Sequence, residues 1–198
     1  MEIRMENDKV TISGYVNSVA RDSKKMHSIN GDFVEQVLPK VWTRALRKAE
    51  DVKILFNHRE DRELGSIKQG NLALYEDAIG LKVNCTIEDK EVIEKARNGE
   101  IRGWSFGFKA NEDIWEKVND NLQRRYLKDI NLLEVSILTL EPAYEGCLAE
   151  IRSEKSMPEI RFNEDKAVVK ELESENKVIR LQEFRNFAEM IKDALEVF

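Results

Sequence analysis

The sequence predicts a mostly β protein with helices, of the α+β class, as a mostly antiparallel barrel or curled sheet with helical insertions. Three observations predict it. The elements run strands, helix, strands, helix, strands, without the regular strand–helix alternation of a doubly wound parallel sheet. Two long strand-like segments, Arg102–Val118 and Arg125–Leu140, are joined by a polar turn at Asn119–Asn121 and read as an antiparallel pair. A mostly antiparallel barrel or curled sheet accommodates such a pair together with short hairpins.

Each element has its own signal. Val10, Ile12 and Val16 alternate, so Val10–Ser18 reads as the first strand. Residues 19–31 are polar and read as a loop, and Phe33–Leu38 is a short apolar segment ended by Pro39. Val41, Ala45, Leu46 and Ala49 give Lys40–Ala49 a helical stripe. Val52–Asn57 is an apolar strand that delivers His58 at its end, and Asp61–Gly70 is a charged turn region with a short strand. Leu72–Glu76 and Gly80–Ile87 form a hairpin around Asp77-Ala78, in which Leu81, Val83, Cys85 and Ile87 alternate with polar residues. Cys85 is therefore expected in the core. Glu88–Asn98 is a helix with acids in its first turn, Lys95 and Arg97 near its end, and Gly99 beyond it.

Bulk composition narrows the function. At roughly 150 residues per domain, 198 residues imply one domain and an appendage. A net charge of −6 argues against a general phosphate-backbone binder, so nucleic acid is not an expected partner. No apolar run is long enough to span a bilayer, and Met1–Lys9 lacks the apolar core of a signal peptide. The two cysteines, Cys85 and Cys147, form no CxxC, and a reduced setting fits. After about Arg152 the composition changes. Residues 1–152 read as the main domain, 153–167 as a polar linker, and 168–198 as an amphipathic helical tail. In the tail Leu181, Phe184, Ala188, Ile191, Leu195 and Phe198 follow a heptad seam, which fits either a helix packed on its own domain or one that pairs with another chain.

Gly103-Trp104-Ser105-Phe106-Gly107 carries the chemical signal. Two aromatics anchor the segment, the glycines permit close approach of other chain, and Ser105 is held between them. Serine needs a base, and histidine is the usual one at neutral pH. Only His27 and His58 exist. His58 ends an apolar strand and is the favoured base, whereas His27 lies in a loop of lysines and serines. A base needs an orienting group. Glu134 interrupts the apolar run Leu132–Leu138, where alternation puts Leu132, Glu134, Ser136 and Leu138 on one face and Leu133, Val135 and Ile137 on the other. A half-buried carboxylate needs a partner, a need that an ordinary salt bridge or an outward-facing position also meets. Gly-x-Ser-x-Gly also fits the nucleophile elbow of α/β-hydrolases, but no histidine follows Ser105, so the order fails. A cysteine enzyme using Cys147 has no second motif behind it.

The blocks Ile12-Ser13-Gly14-Tyr15, Leu55-Phe56-Asn57-His58, Gly65, Leu81-Lys82-Val83, Gly103–Phe108, Leu133-Glu134-Val135-Ser136 and Pro142-Ala143-Tyr144 occur in the order of the prohead (capsid maturation) proteases of tailed bacteriophages, which this chain resembles over roughly residues 10–150. The resemblance implies a barrel of herpesvirus-protease type surrounded by helices. It also implies a serine endopeptidase with Ser105 as nucleophile, His58 as base and Glu134 as third member, calling for no cofactor and no metal. The herpesvirus relatives use a second histidine as third member, which keeps His27 in view. Implied substrates are the major capsid protein, scaffold segments and the protease itself, inside an assembling procapsid in the host cytoplasm. The terminal helix would serve self-association or binding to scaffold. Arg125, Arg124 and Arg102 are candidates to assist the oxyanion. The competing reading is a non-enzymatic assembly or scaffolding factor that keeps the fold.

Overall fold

In the computed structural model, residues 1–6, 8–28, 31–139, 158–164 and 168–171 are described. In chain order the elements are β1 (Glu2–Met5), β2 (Val10–Ser18), β3 (Met26–Ser28), β4 (Gly31–Val37) and α1 (Val41–Lys48). Next come β5 (Lys53–Phe56), β6 (Arg59–Ser66), β7 (Leu72–Glu76), β8 (Gly80–Ile87) and α2 (Lys90–Arg97). The long strands β9 (Gly103–Asn119) and β10 (Leu122–Leu138) come after α2, then β11 (Glu159–Glu164) and β12 (Val168–Glu171).

The strands form two sheets. One has the order β12-β1-β2-β8-β7, and the other β11-β9-β10-β4-β3, with β5 and β6 attached through β10. The α+β class stands, but the expected closed barrel does not: each sheet keeps its edges among the described residues. The order and lengths of strands are the same in an open sheet and in a barrel. Closure depends on tilt and shear, which alternation does not encode.

β10 is the central strand of the second sheet. Along one side it pairs with β9 from Leu122 to Leu138, antiparallel. Along the other it pairs in parallel first with β4, over Leu122–Leu127, and then with β5, over Glu134–Ile137. Between these two partners the ladder shifts register repeatedly, including between Leu132 and Glu134. A bulge reverses the in–out parity of the residues beyond it. Strict alternation is broken there: Leu132 joins Val135 and Ile137 in the core, and Leu133 is exposed.

Both helices stop where their caps dictate. Asp89 accepts the amide of Val92 at 3.0 Å at the start of α2, and Gly99 lies just past its end at φ 67°. α1 has no side-chain cap of its own. Its first amides are met by Glu76 of β7, which accepts from Lys40 N at 2.6 Å and Thr43 N at 2.8 Å and from the Thr43 hydroxyl. The core includes Trp42 of α1, Trp104, Phe106 and Phe108 of β9, and Ile12, Leu81 and Val83 of the first sheet. Trp42 and Phe106 meet edge to face at 5.0 Å. Cys85 lies in this core, and burial pushes its thiol up to about 12, which makes it inert. Part of the polar stretch after residue 153 is the strand β11. The heptad residues from Leu181 onward and Cys147 lie outside the described residues.

Candidate active site

His58 is delivered by backbone geometry. Ile54, Leu55 and Phe56 of β5 are buried, and Phe56 pairs with Arg59 of β6, leaving Asn57 and His58 as the two residues of a hairpin turn. Both have positive φ, 53° and 58°, as the mirror-image turns of tight hairpins require. Asn and His tolerate that region better than most side chains. Asn57 also pins the turn. Its side chain donates to the Thr139 hydroxyl at 3.0 Å and accepts from Thr139 N, and its own amide donates to the Ile137 carbonyl.

Glu134 meets the imidazole there. Its Oε1 lies 2.9 Å from His58 Nδ1, and its Oε2 accepts the Ser136 hydroxyl at 2.6 Å. Ser136 Oγ is itself 3.3 Å from Nδ1. An ionised carboxylate only accepts, so Nδ1 carries the proton and Nε2 is left free to take one. The His58 and Glu134 side chains are 22% and 13% exposed, dry enough for the pair to be worth more than a surface bridge.

Gly107 explains the second glycine of the serine motif. It sits opposite Glu134 across the β9–β10 ladder, and a Cβ there would lie 2.7 Å from Glu134 Oε1. The absence of a side chain gives the carboxylate its place.

Ser105 sits directly opposite Ser136 in the same ladder and is fully buried. Cross-strand partners share a face with Cβ atoms about 5 Å apart, so Ser105, Ser136, Glu134 and Gly107 line one face of the hairpin. Trp104, Phe106 and Phe108 fill the core from the other. On its outer side β9 is covered by β11, antiparallel, with Ser105 opposite Phe162. The Ser105 hydroxyl donates to the backbone carbonyl of Arg161 at 2.7 Å.

A serine and a carboxylate-oriented histidine thus converge on one hairpin, and comparison with protein-family models matches residues 1–161 to the caudovirus prohead serine proteases. The chain belongs to that family. As a prohead serine protease it is a hydrolase of prohead maturation, acting on capsid and scaffold proteins as a class. The family match reaches into β11. Comparison with curated proteins and with solved structures finds no match.

Of the residues singled out from the sequence of this prohead protease, His58 and Glu134 bond directly, whereas Ser105 pairs opposite Ser136 in the ladder and its hydroxyl is bonded to the Arg161 carbonyl and not to His58. His27 is elsewhere. It lies on the edge strand β3, its Nδ1 2.5 Å from Asp32 Oδ1, and Asp32 pairs with Leu122 at the other end of β10 from Glu134. Arg124 is engaged with Asp22, Arg125 is buried among carboxylates, and Arg102 is exposed. Ser136 is the group that sequence reasoning passed over as a site residue. The only signal for it was its place two residues from Glu134 on the same face. Among the described residues no cluster of His, Cys, Asp and Glu is arranged to hold a metal ion.

Proposed function

We propose that Ser105 is the nucleophile of this protease, His58 its general base and acid, and Glu134 the carboxylate that fixes the imidazole. The observation that carries this reading is the 2.9 Å bond from His58 Nδ1 to Glu134 on the face of the hairpin that also bears Ser105. The Ser105 hydroxyl turns from the Arg161 carbonyl to His58 Nε2 and gives up its proton there as Oγ attacks the carbonyl carbon of the substrate. The tetrahedral intermediate collapses as the C–N bond breaks, and the Nε2 proton goes to the leaving amine. Water then repeats the sequence on the acyl-enzyme, with His58 again as base. Ser136 holds Glu134 from the other side and is a positioning residue.

The substrates in this reading are segments of the major capsid protein and of the scaffold, bound as extended strands by β-augmentation within the procapsid, in the host cytoplasm. The heptad segment from Leu181 provides docking on scaffold or on a second copy, and confinement in a shell supplies the effective concentration. Co-expression with the cognate capsid protein tests the chemistry. Wild type is expected to cleave it, and Ser105→Ala to leave it whole while melting at the wild-type temperature. Cleavage that persists in Ser105→Ala removes Ser105 from its role. Deleting residues 172–198, which leaves β11 and β12 in place, is expected to spare peptide cleavage and abolish incorporation into procapsids.

A further inference from the structure

We propose that Glu35 is a specificity-determining residue that seats an arginine of the substrate strand immediately before the cleaved bond, and that β11 is the chain's own occupant of that groove. The proposal deepens the site described above and rests on Ser105 as the nucleophile.

β11 lies where an extended substrate would lie. It runs antiparallel to β9 from Glu159, opposite Phe108, to Glu164, opposite Gly103. The carbonyl that receives the Ser105 hydroxyl is that of Arg161, so the Arg161–Phe162 peptide bond is the one beside the nucleophile. Arg161 pairs opposite Phe106, and its side chain therefore enters the face opposite to Ser105. There its Nε and Nη2 donate to the two oxygens of Glu35 at 2.8 and 2.9 Å, a two-pronged fit, and the guanidinium lies 5.3 Å from the centre of the Phe108 ring.

The receptor side calls for a cation. Glu35 belongs to β4, and its side chain is 4% exposed. Arg125, 3% exposed, donates to Glu35 at 3.0 Å and to Asp113 at 2.8 Å. Without β11, Glu35 and Asp113 share a single guanidinium, that of Arg125, and a strand laid over them buries Glu35. A buried unpaired carboxylate is costly. An arginine on the incoming strand gives Glu35 a second cation as it is buried, and its planar fork and ring stacking favour it over lysine. β11 also brings Glu159, which accepts from Arg125 and from Arg161 Nη2 at 2.7 Å. That bond braces the guanidinium from the substrate side.

The test is binding of a labelled synthetic peptide with the sequence Pro158–Glu164, and of versions with lysine or alanine at the Arg161 position. The receptor is the full chain carrying Ser105→Ala, which stops turnover, and Arg161→Ala, which loosens the resident strand. Fluorescence anisotropy is expected to give affinity for the arginine peptide at least tenfold above the alanine peptide, with lysine between. Glu35→Gln added to this chain is expected to shrink the arginine advantage to within twofold. Equal affinities across the peptide series overturn the proposal, whether or not the Glu35→Gln chain folds. Mass spectrometry of the arginine peptide incubated with Arg161→Ala alone is expected to find the product ending in arginine. Arginine-selective binding without any cleavage would remove the nucleophile assignment and leave the subsite. Cleavage with arginine-blind binding would do the reverse.

Discussion

Two polar clusters lie on opposite faces of the β9–β10 hairpin, and they solve opposite problems. The first, His58, Glu134 and Ser136, contains one group that must gain and lose a proton on every turnover. It is small, partly open to water, and mounted on a turn whose backbone is strained. The second, Glu35, Arg125, Asp113, Glu159 and Arg161, contains guanidinium groups that never deprotonate in this setting, each met by more than one carboxylate. The first is arranged for transfer and the second for retention. Arg161 joins them: its side chain belongs to the retaining cluster and its carbonyl is held by Ser105.

That contrast predicts that damage to the first cluster acts mainly on turnover, and damage to the second on stability and on the choice of substrate strand. The largest effect is expected for Ser105→Ala, a loss in kcat of roughly 10⁶ with an unchanged melting curve. Glu134→Gln keeps the shape but lets the amide favour the other imidazole tautomer, and a loss of about 10⁴ in kcat is expected. Gly107→Ala forces the carboxylate off the position it shares with His58, and about a hundredfold loss is expected from that displacement. Both are read by steady-state cleavage of a fluorogenic peptide beside a thermal melt. On the other face, Arg125→Met leaves Glu35 buried without that partner, and urea unfolding is expected to show about 3 kcal/mol of destabilisation.

The smallest effect concerns pH. Burial works to raise the Glu159 carboxyl, but the bonds from Arg125 and the charge of Arg161 outweigh it and hold the group below its ordinary 4.5. A carboxyl so depressed contributes stability in full above 4.5 and loses it as the pH falls through the folded value. Melts between pH 6 and 3 should therefore show a steeper acid decline in wild type than in Glu159→Gln. Parallel curves would remove Glu159 from the clamp.

How legible all this was depended on whether the information was local. The alternation of Leu81, Val83, Cys85 and Ile87, the acid at Asp89 and the Gly99 stop are local, and β8 and α2 form where they point. The serine motif stands out locally by its aromatics, but the neighbour for which Gly107 makes room, Glu134, lies on the next strand. What escaped is what one strand does to another. Glu76 caps α1 from β7, beyond any window of helix signals. The shift near Leu133 that re-aims the chain around Glu134 arises from pairing with β9. β11 reads as linker because its alternate residues are charged, and only the buried Glu35 and Arg125 make Glu159 and Arg161 at home in the interior. Openness of the sheets is likewise a property of registers and not of any segment.

The two-residue turn at Asn57-His58 carries a consequence for chemical complementation. His58 adopts its left-handed backbone against its own Cβ, and glycine would adopt it freely. His58→Gly should thus keep the turn of the hairpin, at the cost of the bond to Glu134, while opening a ring-sized hole beside that carboxylate. Free imidazole added from solution has a hydrogen-bond acceptor already waiting in that hole, so activity should return with saturable dependence on the added base.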